Sequence, residues 1–274
     1  MNIGSLLNLS TKMLNSKNKL LTIISGITLF FLIVPLIIVI ITAFGNGTTI
    51  TFPIKGITLR WFSNVFLQPD FVTGFQMSLL IALLASTIAL LVGVPAVYAL
   101  TRLGIHHHQW FQMLFLSPTF IPEIVIGFAL YQGLMITIRI PLVITLLCGH
   151  FLLCIPYVIR LITASMMLMD QHLEEAAWVC GSTKVESFFK IVIPNIYPSI
   201  IAAFMLAFIN SFNNIPITLF LNGVDLSMLP TSILNYLQNN YDPTVSAISV
   251  LLMLFTAGLM LLVEKILGLK MIMK

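Results

Sequence analysis

The sequence predicts an all-α membrane protein, a polytopic bundle of six transmembrane helices. Of its 274 residues, 59% are hydrophobic and only 8% are charged, which is more apolar than a soluble core of this size requires. About 20 apolar residues in a helix cross the ~30 Å hydrocarbon layer of a bilayer. Runs of that length fall at 20–44, 78–100, 110–134, 141–165, 198–222 and 245–267.

The distribution of Lys and Arg orients these spans, because basic residues concentrate in cytoplasmic loops. With both termini in the cytoplasm, ten of the 13 basic residues lie on that side and three lie outside. The predicted organisation is a cytoplasmic N-terminal segment (1–19), a membrane domain (20–267) and a cytoplasmic tail (268–274).

The same charge bias excludes other classes of protein. It explains the net charge of +4, so no nucleic-acid partner is predicted. The first apolar run is too long for a cleaved secretory signal and no small-x-small cleavage site follows it. Cys148, Cys154 and Cys180 have no pattern of a disulfide framework. The chain is therefore expected to be multi-pass, with membrane lipid around it.

A polar segment follows the fourth span, and its first half predicts a short helix. Asp170 can cap that helix and place Glu174 and Glu175 in its first turn, where the helix dipole favours carboxylates. Gly181 is then expected to end it, because glycine readily adopts the left-handed conformation common at helix ends.

The second half of this segment predicts another short helix. Thr183 and Glu186 have the spacing of a capping box, which marks a helix start. Phe188, Phe189 and Ile191 are expected to anchor this helix to the bundle. The product is a compact helix-glycine-helix bend, and we refer to residues 170–194 as the elbow.

The order of residues in this loop, about 166–197, resembles the EAA loop of ABC importer permeases. A lone Glu-Ala-Ala triplet is more typical of an ordinary connecting loop, but here the glycine, the phenylalanine and the prolines also match. The resemblance implies cytoplasmic coupling helices that bind a separate ATPase. The residues that it assigns to coupling are Asp170, Glu174, Glu175, Ala176, Ala177, Gly181, Phe188 and Pro194.

Glu123 is a carboxylate at membrane depth. At 1.5 Å per helical residue it lies roughly 20 Å along the third span from Trp110. Charged groups at such depth are costly and mark cavities, pathways or paired helices. Two explanations stay open: Glu123 lines a wet solute pathway, or it is protonated or paired with a neighbouring helix for assembly.

The fifth span carries a second polar cluster, formed by Asn210, Asn213, Asn214 and Thr218. In a continuous helix, Asn210, Asn214 and Thr218 share one face, since they recur every four residues. This face either lines the solute pathway or forms interhelical hydrogen bonds.

Further segments extend the resemblance to the second permease subunit of spermidine/putrescine importers. They are 116–127, 149–160, 207–221 and 241–249. Asn213 stands where the family pattern has Asp, which removes a formal anion from the pathway. Polyamine uptake is the implied function, with permeases for aminoethylphosphonate or ferric iron as alternatives.

The expected partners also follow from the resemblance: an ABC ATPase dimer, a second permease subunit and an extracytoplasmic solute-binding protein at the bacterial inner membrane. The chain has no P-loop sequence, so ATP is expected on the ATPase. We expect no cofactor or catalytic activity on this chain.

Other readings of the polar residues are weaker. His106, His107 and His108 are consecutive, so their side chains diverge, and we expect a solvated turn without a metal. A secondary transporter or channel could use Glu123 and the asparagines. Neither class needs the elbow.

Overall fold

The computed structural model describes residues 3–104, 108–223 and 226–267. Two of the consecutive histidines, the acidic residue at 225 and the tail 268–274 lie outside the described residues. Within the described part the α-helices are α1 (Ile3–Ala43), α2 (Arg60–Leu67), α3 (Pro69–Arg102), α4 (His108–Leu116), α5 (Glu123–Leu130), α6 (Leu142–Leu168), α7 (His172–Val179), α8 (Lys184–Ser187), α9 (Ile193–Phe212), α10 (Pro216–Phe220), α11 (Leu229–Asn239) and α12 (Thr244–Leu267).

The predicted all-α membrane bundle is confirmed. Within the described residues, five helical segments are long and apolar enough to cross a membrane, and one bent pair of helices would be a sixth span if the two together count as one. The five are Leu21–Ala43, Pro69–Arg102, Leu142–Leu168, Lys184–Phe220 and Thr244–Lys265.

The third predicted span is not one straight helix, which corrects the expectation for 110–134. The segments Gln109–Phe120 and Glu123–Thr137 meet at an angle of 95°. Ile121 is extended, with φ −99° and ψ 131°. Pro122 causes this, because its ring disfavours a helical conformation in the preceding residue and it has no N–H to continue the ladder.

The fifth predicted span is also interrupted. Helix α9 ends at Phe212, and α10 begins only at Pro216. Pro216 cannot donate the backbone hydrogen bond that a continuous helix would need at this point. The single face predicted for Asn210, Asn214 and Thr218 is therefore wrong, since the three residues lie on different elements.

The chain divides into two compact units. The first comprises Met1–Leu67 and Asn239–Thr256. In it, Trp61 of α2 is buried and donates from Nε1 to the carbonyl of Gly45 at 2.7 Å. A hydrogen bond of 3.0 Å from Thr42 Oγ1 to Ser246 Oγ ties α1 to α12.

The second unit comprises Gln68–Gln238 and Ala257–Lys274. Its core lies between α3, α6 and α9 and includes Ala85, Ala89, Val158 and Ala203. Small residues let helix backbones approach closely in a membrane, where lipid supplies no hydrophobic force between helices. At Gly93, an added Cβ would lie 2.6 Å from Val158 Cγ1, so α3 and α6 approach too closely there for any side chain.

Candidate functional site

The first half of the elbow folds as the sequence predicts. Helix α7 begins at His172 and carries Glu174 and Glu175 in its first turn. The N-cap position itself is Gln171. Asp170 still satisfies the helix start, because its Oδ1 accepts a hydrogen bond from the His172 N–H at 3.0 Å.

Gly181 ends α7 as predicted, with φ +88° in the left-handed region that favours glycine. Its N–H donates to the carbonyl of Trp178 at 3.0 Å. The Ser182 N–H donates to the carbonyl of Ala177, also at 3.0 Å. These two bonds form a Schellman motif, which satisfies carbonyls at the helix end.

The second half begins at the predicted capping box. The Glu186 N–H donates to Thr183 Oγ1 at 3.2 Å, and the Thr183 N–H donates to Glu186 Oε2 at 3.0 Å. The helix that follows is not a separate element, however. Helix α8 continues through the π-helical turn Phe188–Val192 into α9, where Pro194 lies in the first turn.

The predicted anchors of this second half differ in burial. Phe188 packs on the core, and its ring centroid lies 4.8 Å from that of Tyr98 on α3. Phe189 is not an anchor, because it is 63% exposed. It follows Phe188 directly, and neighbouring helical side chains point in different directions. Of the two EAA alanines, Ala176 is exposed and Ala177 is half-buried.

Glu174 and Glu175 have opposite environments, although they are adjacent. Glu174 is buried, and its Oε1 accepts a hydrogen bond of 2.9 Å from Arg102 Nε, at the end of α3. Glu175 is exposed and contacts His172 Nδ1 through Oε2 at 2.9 Å. One glutamate therefore faces the bundle and the other is accessible to a partner.

His172 takes its electrostatic environment from two carboxylates. The hydrogen bond with Glu175 raises the pKa of His172 above its ordinary value of 6.5, and the charge of Asp170 acts in the same direction. Because His172 is fully exposed, solvent screens this interaction.

The polar residues of the third and fifth predicted spans meet at the two helix breaks. Asn214 lies in the gap before α10, and its Nδ2 donates to Glu123 Oε2, at the start of α5, at 2.7 Å. The Ile217 N–H donates to Asn214 Oδ1 at 3.0 Å, so Asn214 also caps α10. Glu123 is half-buried and Asn214 is buried. The structure thus brings together two residues 91 positions apart.

The remaining members of the predicted cluster do not converge on Glu123. Asn210 donates from Nδ2 to Tyr157 Oη on α6 at 2.9 Å. Thr218 is buried and donates to the carbonyl of Asn214 at 2.9 Å. Asn213 is exposed at the end of α9.

The sequence reasoning missed three residues of these surroundings. Arg102 was counted only as a basic residue on the cytoplasmic side. The packing of Phe188 on Tyr98 was not predicted. His150 was also missed: it is buried in α6, and its Nδ1 lies 2.7 Å from Ser211 Oγ on α9. A lone basic or imidazole side chain at a span end or inside a span was the only available signal.

Comparison with known proteins identifies a family. A model described as "Binding-protein-dependent transport system inner membrane component" matches residues 106–268. The putrescine transport system permease protein PotI of Escherichia coli (strain K12) is 27% identical over 230 residues, covering 81% of this chain and 82% of that protein. The spermidine/putrescine transport system permease protein PotC of Haemophilus influenzae is 26% identical over 237 residues, covering 86% and 91%.

Solved structures share the fold. A chain of a bacterial ABC transporter involved in the import of the acidic polysaccharide alginate superposes with a TM-score of 0.64 at 18% identity, covering 93% of this chain and 97% of that one. A chain of the MetNI methionine ABC transporter in inward-facing conformations gives a TM-score of 0.59 at 18% identity, covering 72% and 94%.

Proposed function

Because this chain belongs to the family of binding-protein-dependent transport system inner membrane components, we propose that it takes up polyamines as one permease of an importer whose elbow docks a separate ATPase. Family membership confirms the predicted resemblance to ABC importer permeases. The chain is a multi-pass membrane permease and a transport component. Its solute, partners and functional residues are what we propose below.

The elbow carries the docking proposal. Leu173, Val179, Val185 and Phe189 expose large apolar side chains on it, and Val179 is 89% exposed. Exposed apolar residues beside charged ones are typical of protein interfaces. Glu175 stands among them and is available to a basic residue of the ATPase. ATP binding and hydrolysis belong to that partner, so this chain needs no cofactor.

The remaining coupling residues hold the shape of this surface. Asp170 satisfies the start of α7, Gly181 ends it, and Phe188 fixes α8 to the core. Pro194 lies where the π-helical turn joins α9, and it lacks the N–H that a regular ladder would require. Ala176 and Ala177 have short side chains between larger ones on α7, so a partner can approach the helix backbone there.

The solute pathway is proposed at the paired helix breaks. Non-helical backbone at membrane depth is tolerated where it lines a cavity or is covered by protein. Glu123 and Asn214 meet at these breaks, while Asn210, Asn213 and Thr218 lie on the elements that flank them. The carboxylate of Glu123 suits a cationic solute, which supports polyamine uptake.

The names of PotI and PotC also support this substrate, since both are permeases for putrescine or for spermidine and putrescine. We propose cytoplasmic termini, with 1–19 and 268–274 flanking a membrane domain at 20–267, in a bacterial inner membrane. A second permease, an ATPase dimer and an extracytoplasmic binding protein would complete the importer.

Reconstitution tests the proposal directly. The chain would be co-expressed with the permease, ATPase and binding protein encoded beside it, and purified into liposomes. We expect ATP-driven uptake of labelled putrescine or spermidine that requires the binding protein. Uptake of aminoethylphosphonate or ferric iron instead would overturn the polyamine assignment. Uptake that proceeds without any ATPase would indicate a secondary transporter or channel and overturn the importer.

A further inference from the structure

The last turn of α3 contacts both halves of the elbow. Tyr98 and Arg102 are four residues apart on α3, so they lie on one face of the helix. Tyr98 meets the ring of Phe188, after α8, and Arg102 meets Glu174 in α7. Neither contact follows from the chain connections of the elbow, which lead to α6 and α9.

Arg102 joins three elements through one guanidinium group. Its Nε donates to Glu174 Oε1 at 2.9 Å, and its Nη2 donates to the carbonyls of Met166 and Met169 at 3.1 and 3.0 Å. Those carbonyls lie at the end of α6, where the last helical carbonyls have no intrahelical partner. The guanidinium is planar, so these three bonds fix its orientation.

This ion pair is shielded from solvent. The side chain of Arg102 is 7% exposed and that of Glu174 is 1% exposed. The second oxygen of Glu174, Oε2, is also buried. Removing one member of such a pair leaves a buried charge uncompensated, so the pair resists separation far more than a surface pair does.

We propose that Arg102 is the positioning residue that makes α7 and α3 move as one rigid body. This rests on the proposed docking of an ATPase at the elbow. Glu175 and the exposed apolar residues would contact the ATPase, so α7 moves when the ATPase moves. Because Glu174 is bonded to Arg102, that motion also moves α3 and the end of α6. The two glutamates therefore have separate tasks.

A distance measurement in the assembled importer tests this inference. Spin labels would be placed on the native Cys180, at the end of α7, and on Leu103→Cys, at the end of α3; both positions are exposed. Cys148→Ser and Cys154→Ala would remove the other thiols. We expect the same narrow inter-label distance in the nucleotide-free and ATP-trapped states, and a broad distribution in Arg102→Gln.

Transport supplies the second readout. In Arg102→Gln we expect uptake per assembled importer to fall by about tenfold while basal ATPase activity remains, because motion of the elbow no longer reaches α3. Arg102→Lys keeps the positive charge but lacks the planar guanidinium group, so its uptake should lie between that of the wild type and that of Arg102→Gln. Arg160→Gln is the matched control, since Arg160 is an exposed arginine on α6, and it should behave as wild type.

Several results of these experiments would overturn the inference. If the wild-type distance changes between the two states by more than about 2 Å, the size of an interface helix shift, α7 and α3 do not move together and the inference fails. If uptake in Arg102→Gln falls only in proportion to assembly, Arg102 is merely structural and the inference also fails. Should the glutamine variant not assemble, Arg102→Lys takes its place in both measurements, and wild-type distances together with wild-type uptake in that variant would overturn the inference. A wild-type complex without ATP-driven uptake would overturn the proposed function and the inference together.

Discussion

Two glutamates of this permease are partly or wholly removed from water, and they are held in different ways. Glu174, in the elbow, contacts the guanidinium of Arg102 at 2.9 Å. Glu123, at the break between α4 and α5, contacts only the uncharged amide of Asn214 at 2.7 Å among the hydrogen bonds observed. Glu174 therefore has a cationic partner, whereas no cationic partner of Glu123 is seen among the described residues.

This difference suits Glu174 to a rigid connection between helices and Glu123 to a site that can exchange binding partners. An ion pair in low-dielectric surroundings is costly to separate, which suits a rigid connection. The carboxyl group of Glu123 has an uncharged partner, so a cationic solute could bind there in place of Asn214 or beside it. This difference supports the proposal that the elbow transmits force and that the paired breaks bind the solute.

The largest effect is expected when the elbow loses its bend. Gly181→Pro cannot adopt φ +88° and also removes the N–H that bonds to Trp178. Strain of this kind costs up to about 3 kcal/mol, so we expect ATPase co-purification and uptake to fall by about a hundredfold. Gly181→Asn is the control, since Asn tolerates the left-handed region, and it should retain most activity. Wild-type uptake in Gly181→Pro would contradict the role of the elbow.

The next effect distinguishes charge from shape at the helix breaks. Glu123→Gln keeps the size and hydrogen-bonding capacity of the side chain but removes its charge. We expect uptake of a cationic solute to fall by about tenfold, equivalent to about 1.4 kcal/mol, with normal yield of assembled transporter. The alternative role of Glu123 in assembly predicts the reverse: lower yield and unchanged uptake per complex.

A smaller effect is expected from the packing that holds the two breaks together. In Gly127→Ala, the new Cβ would lie 3.0 Å from Ile217 Cα and 3.1 Å from its carbonyl oxygen, so α5 must shift from α10. Overpacking of this kind costs about 1–3 kcal/mol, which should lower the thermal stability of the purified complex. Gly133→Ala is the matched control, because its Cβ would meet no atom within 4 Å. Equal melting temperatures for the two variants would contradict this packing.

The smallest effect concerns pH. The hydrogen bond with Glu175 raises the pKa of His172 above its ordinary value of 6.5. The ion pair between protonated His172 and Glu175 is therefore fully formed at a pH below 6.5, and it is lost as the pH rises through the raised pKa. Loss of the proton frees the charge of Glu175. We expect ATPase affinity to rise by about twofold across this range, a modest change because the pair is exposed. In His172→Gln this dependence should disappear; an unchanged pH profile would exclude His172 as its source.

The same two regions show why sequence predicts some features and not others. The elbow is encoded locally: Gly181, the Thr183–Glu186 capping box and the acidic first turn of α7 act within a few residues, and all were predictable. At the breaks, Pro122 and Pro216 are the local cause, but a proline in a span does not by itself predict a break. Helices α3 and α6 continue through Pro95 and Pro156.

The contacts that join these elements could not be read from the sequence. Arg102 and Glu174 are 72 positions apart, and Glu123 and Asn214 are 91 apart. Polarity predicted that each of these residues needs a partner, but the partner depends on how the helices pack. The break after Phe212 also placed Asn210 and Asn214 on different elements, which periodicity in a continuous helix could not anticipate.

Photo-crosslinking in the assembled importer tests the central claim, that the elbow is the ATPase-docking surface. A photoreactive amino acid would replace Val179, the highly exposed residue at the end of α7, and Leu91, an exposed residue in the middle of α3, would serve as control. In complexes that retain ATP-driven uptake, we predict a covalent adduct with the ATPase from position 179 and none from position 91. An active complex that forms no ATPase adduct at position 179 would contradict the account.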